Sequence, residues 1–87
     1  MPLLTPTGGA AMNRPVKRSF TIAGHRTSIS LETPFWEALK AAAAEEGVAV
    51  AKLIARIDGT RGASGLSSAV RVWLLDRYRE SARRART

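Results

Sequence analysis

Fourteen lysines and arginines are the side chains with most chemistry to offer in this 87-residue sequence, and eleven of them are arginine. A guanidinium carries five N–H donors in a planar fork and keeps its charge at any physiological pH, which suits phosphate oxygens. Seven Asp and Glu oppose them, leaving a formal net charge of +7 and a sequence pI near 11.4. The charge is unevenly placed. Residues 1–31 hold Arg14, Lys17, Arg18 and Arg26 and no acid, net +4; residues 32–76 hold five bases and six acids, net −1; residues 77–87 set five arginines against Glu80, net +4. A near-neutral middle between two basic ends points to a polyanionic partner, nucleic acid ahead of an anionic membrane.

Other chemistry is excluded by count. There is no cysteine, and His25 is the one histidine. A disulfide framework, a thiolate metal site, a histidine triad and a His-Glu-x-x-His zinc site all fail on that ground, so neither a metal nor any other cofactor is expected. Asp58 and Asp76 form no evident catalytic pair. Gly59 and Gly62 make a Gly-x-x-Gly without the lysine and hydroxyl of a phosphate cradle. An enzyme is not expected.

The charged residues need elements to position them. Residues 1–16 carry three prolines and two glycines without periodicity and read as a disordered tail, in which Met12 is an alternative start. The start lacks a basic n-region and a continuous apolar core, so it is no signal peptide, and no apolar run is long enough to span a bilayer. Lys17 to Leu31 reads as strand. Thr27, Ile29 and Leu31 share one side, and Arg26, Ser28 and Ser30 the other. Gly24-His25 reads as a two-residue type II′ hairpin turn, which sets Ile22 opposite Thr27 and Phe20 opposite Ile29; one long bent strand is the alternative.

Three helices follow. Thr33 reads as an N-cap with Pro34 at the first helical position, and Phe35, Leu39, Ala42 and Ala43 form a stripe that Trp36 widens, ended by Gly47. The second helix has Val50, Leu53, Ile54 and Ile57 at i, i+3, i+4 and i+7 and stops near Asp58-Gly59. A Gly-rich turn over 59–65 precedes a third helix, from about Leu66 to Arg79 or beyond, with Leu66, Ala69, Val70, Trp73, Leu74 and Tyr78 on one stripe. Val72 and Leu75 fall off it, so this helix carries more apolar surface than a small monomer buries, which favours an oligomer interface. No internal repeats are evident. The domain is read as 17–80, mostly α with a short β ribbon, and 81–87 as a basic C-terminal tail, equally a solvated helix end or a phosphate-binding arm.

This order, a short strand with a polar cationic face, a helix, a break and a helix, resembles the ribbon-helix-helix family of bacterial DNA-binding proteins over Arg26 to about Gly59. The string from Gly24 to Glu32, with Leu66-Ser67-Ser68-Ala69-Val70-Arg71 downstream, resembles a subgroup of short proteins with an added C-terminal helix. The resemblance implies an intertwined homodimer in which strands of two chains pair into a ribbon that enters the major groove. It implies base contacts from Arg26, whose fork fits guanine O6 and N7, and from Ser28 and Ser30. It implies phosphate contacts near the second helix's N-terminus, at Val50, Ala51 and Lys52. Lys17, Arg18 and His25 join them as basic neighbours of the strand. Ile29, Leu31, Leu39, Leu53, Ile54, Ile57 and Trp73 are the expected dimer core.

Val48-Ala49-Val50 departs from the family, which carries Ser or Thr there. A leading strand over Phe20–Ala23, paired beside a two-chain ribbon, would make four strands, wider than the groove. The expected function is sequence-specific binding of double-stranded DNA as a cytoplasmic, nucleoid-associated transcriptional regulator that self-associates as a homodimer. The second reading is an antitoxin-like or adaptor dimer whose third helix docks a protein partner; a membrane-surface or RNA-associated basic protein ranks third.

Overall fold

The computed structural model describes residues 14–60 and 65–86. Its elements run β1 (Pro15–Ile22), β2 (His25–Glu32), α1 (Thr33–Glu46), α2 (Val50–Asp58) and α3 (Leu66–Arg86). The expected ribbon and three helices are therefore present, in the expected order.

The two strands pair antiparallel along their whole length, from Pro15 opposite Glu32 to Ile22 opposite His25. Ala23 and Gly24 make the turn between them, with φ of 52° and 83°. Two successive left-handed residues make a type I′ turn, whose twist matches that of the strands it joins. This corrects the Gly24-His25 turn: Phe20 faces Thr27, not Ile29, and Arg18 faces Ile29. The slip is two residues, an even number, so every side chain stays on its expected side. Pro15 and Val16, read as tail, belong to β1. The Arg26–Leu31 strand thus has β1 of its own chain along one edge.

Glu32 occupies the N-cap of α1, without a side-chain cap, and Thr33 is its first residue, one position later in role than expected. Gly47, at φ 71°, closes the helix by donating its N–H to the carbonyls of Ala43 and Ala44. Ala49 caps α2 without a side-chain bond. α3 continues beyond Arg79 to Arg86, so residues 81–86 form its last turns. Glu80 pairs there with Arg83 and Arg84, one helical turn on. Residues 1–13, including Met12, and 61–64, most of the Gly-rich turn, lie outside the described residues.

Side chains of both strands and all three helices meet in one core. Ile29, Leu31, Leu39, Leu53, Ile54, Ile57 and Val70 are at most 2% exposed. Six of these seven were expected to meet at a dimer core; the chain's own elements bury them. Trp73 lies at the rim, half-buried, under the Arg77 guanidinium. α3 lies beside α1, with Arg71 over the Phe35 ring and Arg77 bonded to Glu45 and Glu46. Val72, Leu75 and Tyr78 are left exposed on α3. With Pro34, Phe35 and Ala38 of α1 they line an apolar groove of about 440 Å³.

Candidate functional site

Directly opposed residues of a β-ladder lie on the same face. The register therefore sorts the ribbon into two faces. Val16, Phe20, Ile22, Ile29 and Leu31 turn inward with Thr27 and pack on the helices. The outer face carries Lys17 opposite Ser30, Ser19 opposite Ser28, and Thr21 opposite Arg26. All but Ser30, which is half-buried, are exposed. Ser19 Oγ and Ser28 Oγ are 3.4 Å apart across the middle. Glu32, at the far end of this face, is the acid on it, and Arg71 holds it by Nε to Oε1 at 3.0 Å and Nη2 to Oε2 at 3.2 Å. Hydrogen bonding from its own backbone N–H, and then from Arg71, lowers the Glu32 pKa from its ordinary value. The carboxylate is thus turned toward α3.

The predicted base-contact residues Arg26, Ser28 and Ser30 come together on this face, as the alternation required. Lys17, predicted as a phosphate contact, stands on the same face instead of beside it. Ser19 and Thr21, outward on the leading strand, were the next candidates after the predicted base-contact set. Their strand alternates as clearly as β2, but only the register shows that they line up with Arg26 and Ser28.

Arg18, expected as a phosphate contact, is exposed. It sits on the inner face opposite Ile29, with its guanidinium 5.5 Å from the Trp36 ring centroid. A cation held over an indole face is attracted by the ring quadrupole, and here it covers the edge of the core. Trp36 also fastens the ribbon: its Nε1–H donates to the Val16 carbonyl at 2.9 Å, and its ring lies 5.8 Å from that of Phe20. His25 follows the turn and is exposed at the ribbon's tip.

The second predicted cluster separates by burial. Val50 and Ala51 pack against the core, while Lys52 is exposed. The N–H groups of Lys52 and Leu53 both donate to the Ala49 carbonyl. The N–H groups of Val50 and Ala51 have no intrahelical acceptor, as in the first turn of any helix. Backbone donors and one lysine are what this end offers.

Arg71 was not predicted. Besides Glu32 it donates from Nη2 to the Ser30 carbonyl at 3.3 Å, while the Ser30 N–H donates to Ser67 Oγ at 3.1 Å. Both backbone groups of Ser30 on the outer edge of β2 are therefore taken by α3. Only the pairing of elements 37 to 41 residues apart shows this. Further along, Glu46 accepts from both Arg56 and Arg77, joining three helices, and these bonds, Arg56 first, lower its pKa. Among the described residues no group of three or more His, Cys, Asp or Glu is placed to hold a metal, and no helix is long and apolar enough to cross a membrane. No curated protein and no solved structure matches the chain. A family model described as a ribbon-helix-helix domain matches residues 15–78.

Proposed function

Because the chain belongs to the ribbon-helix-helix family, whose members are generally DNA-binding regulators and typically not enzymes, we propose that it is a sequence-specific DNA-binding transcriptional regulator. It lays the outer face of the β1–β2 ribbon in the major groove of double-stranded DNA. One observation carries this: the exposed ribbon face is built of Lys17, Ser19, Thr21, Arg26 and Ser28, with Ser30 at its edge, and its one carboxylate, Glu32, is held by Arg71. Two strands stand about 4.8 Å apart, within a major groove about 12 Å wide. Hydroxyls bond several bases, while the Arg26 fork fits guanine O6 and N7. Lys52 and the N-terminus of α2 supply phosphate contacts, with His25 at the tip and the arginines of α3 adding long-range attraction.

The setting that goes with this reading is the cytoplasm, on the nucleoid. The family typically dimerises; Val72, Leu75 and Tyr78 are the apolar surface a second copy would cover. The same groove favours the second reading, an antitoxin-like or adaptor module that docks a protein partner between α1 and α3. Anisotropy titration with selected and scrambled duplexes separates the two. Arg26→Ala should cost about 1–3 kcal/mol of discrimination at a guanine, while Lys52→Ala weakens all duplexes alike. Equal binding of every duplex by the wild type refutes sequence-specific reading and leaves the docking reading.

A further inference from the structure

β1, α1 and α2 meet around a small pocket on the inner side of the ribbon. Arg18 and Phe20 of β1, Trp36 and Lys40 of α1, and Val50 of α2 line it, and its volume is about 180 Å³. No lining residue comes from β2 or α3. Local periodicity brings these side chains together. Arg18 and Phe20 are two apart on a strand and share its inner face; Trp36 and Lys40 are one helical turn apart on α1. The Phe20 and Trp36 rings lie 5.8 Å apart, tilted by 33°, and half-buried Val50 adds a branched alkyl wall. The walls are therefore apolar and the rim is cationic.

The two cations stand apart from the others near the core. Arg56, Arg71, Arg77, Arg83 and Arg84 each hold an acid. Arg18 and Lys40 are exposed, form no ion pair among the described residues, and no carboxylate lines the pocket. The Arg18 guanidinium is held 5.5 Å from the Trp36 ring centroid. Attraction to the ring quadrupole uses the charge and none of the N–H donors, which stay available to an acceptor. Because the side chain is already held, less freedom is lost when it bonds one.

We propose that this pocket binds a small organic anion, a carboxylate carried on a single ring or a branched alkyl body. The body lies against Trp36, Phe20 and Val50, and the carboxylate bridges Arg18 and Lys40. An apolar cavity of about 150 Å³ accepts one benzene ring, so the volume suits one ring. The apolar walls favour such a ligand over a DNA phosphodiester, which offers charge to the rim and nothing to the walls. A bound anion ties β1 to α1 and α2, reinforcing the link that Trp36 Nε1 makes to the Val16 carbonyl. The inference does not depend on the DNA-binding reading.

Titration of the full chain with benzoate tests it, followed by the chemical shifts of backbone amides and indole N–H groups at constant ionic strength. Acetate supplies the charge without the ring, and benzyl alcohol the ring without the charge. Benzoate should shift the Trp36 indole N–H and the amides of Arg18, Phe20 and Val50 saturably, with a Kd on the order of 1 mM or tighter. It should also raise Tm, as a ligand of the folded state does. Arg18→Gln and Lys40→Gln, each checked for unchanged circular dichroism, should weaken it roughly tenfold, the equivalent of about 1.4 kcal/mol. Val50→Phe fills the pocket while keeping both cations and should abolish binding. Equal affinity for acetate would mean that exposed cations attract any anion, and unchanged affinity in Arg18→Gln would mean that this arginine only covers the core; either result overturns the inference. Shifts at these residues on adding duplex, with none on adding benzoate, would assign both cations to DNA phosphate. That result overturns the inference and leaves the DNA-binding reading intact.

Discussion

Replacing Gly24 by alanine tests the turn that makes the ribbon a one-chain structure. Gly24 has φ +83°, and a Cβ built on it meets nothing within 4 Å. The cost is therefore backbone strain alone. A left-handed residue with a Cβ costs about 1–2 kcal/mol, and the stiffer unfolded chain returns about 0.4–1 kcal/mol. The net loss should be about 1 kcal/mol, a fall in Tm of roughly 4–8 °C for a domain of this size. Gly47 is an internal calibrator, at φ +71° with the same open surroundings but at the end of α1. Gly47→Ala should cost the same to within a few tenths of a kcal/mol. Ala23→Gly should act in the opposite sense, since Ala23 already bears the strain at φ 52°. Urea unfolding followed by the fluorescence of Trp36 and Trp73, repeated over a range of protein concentrations, measures all three. If Gly47→Ala loses about 1 kcal/mol and Gly24→Ala loses nothing, the turn is not formed and the ribbon is not closed within the chain.

Trp36→Phe keeps most of the buried ring but removes the N–H that holds the Val16 carbonyl, and should cost about 1–2 kcal/mol in urea titration. It should weaken binding to every duplex alike, because it loosens the ribbon without touching its outer face; a change in base preference would contradict that. Acid should unfold the protein partly through Glu32 and Glu46, whose folded pKa values lie below the ordinary 4.5. Their contribution is complete above the unfolded value and is lost as pH falls through the folded one. The urea midpoint should therefore drop between pH 5 and pH 3, estimated at about one unit either side of the carboxylate range, and Glu46→Gln should lessen the drop; an equal drop in that variant removes Glu46 from the account. Deleting residues 81–87 takes away Arg83, Arg84 and Arg86 from the end of α3. Folding should be unaffected, and the slope of log affinity against log salt should flatten by up to about 2.7 if each arginine neutralises one phosphate. An unchanged slope would show that this arm contacts no DNA.

The sequence alone determined which side of each element is apolar and where the helices turn over. Period-2 alternation from Arg26 to Leu31 and the stripe of Leu53, Ile54 and Ile57 are local facts, and burial obeys them. Gly47 marks a helix end because a left-handed residue is needed there. For the same reason the polar face of Arg26, Ser28 and Ser30 could be read without coordinates, and an even slip in register could not disturb it.

Which residues meet across that face was settled only in three dimensions. The turn shifted because Ala23, which local propensity disfavours at positive φ, is held there by the pairing on either side and by Trp36 reaching the Val16 carbonyl. That shift set Ser19 opposite Ser28 and Arg18 opposite Ile29, where its guanidinium lies over the indole. Glu32 and Ser30 acquired their partners from α3, 37 to 41 residues away. Faces follow from the chain's own periodicity, but register and partnership depend on how the energies of distant contacts compare, and no short window of sequence contains those contacts.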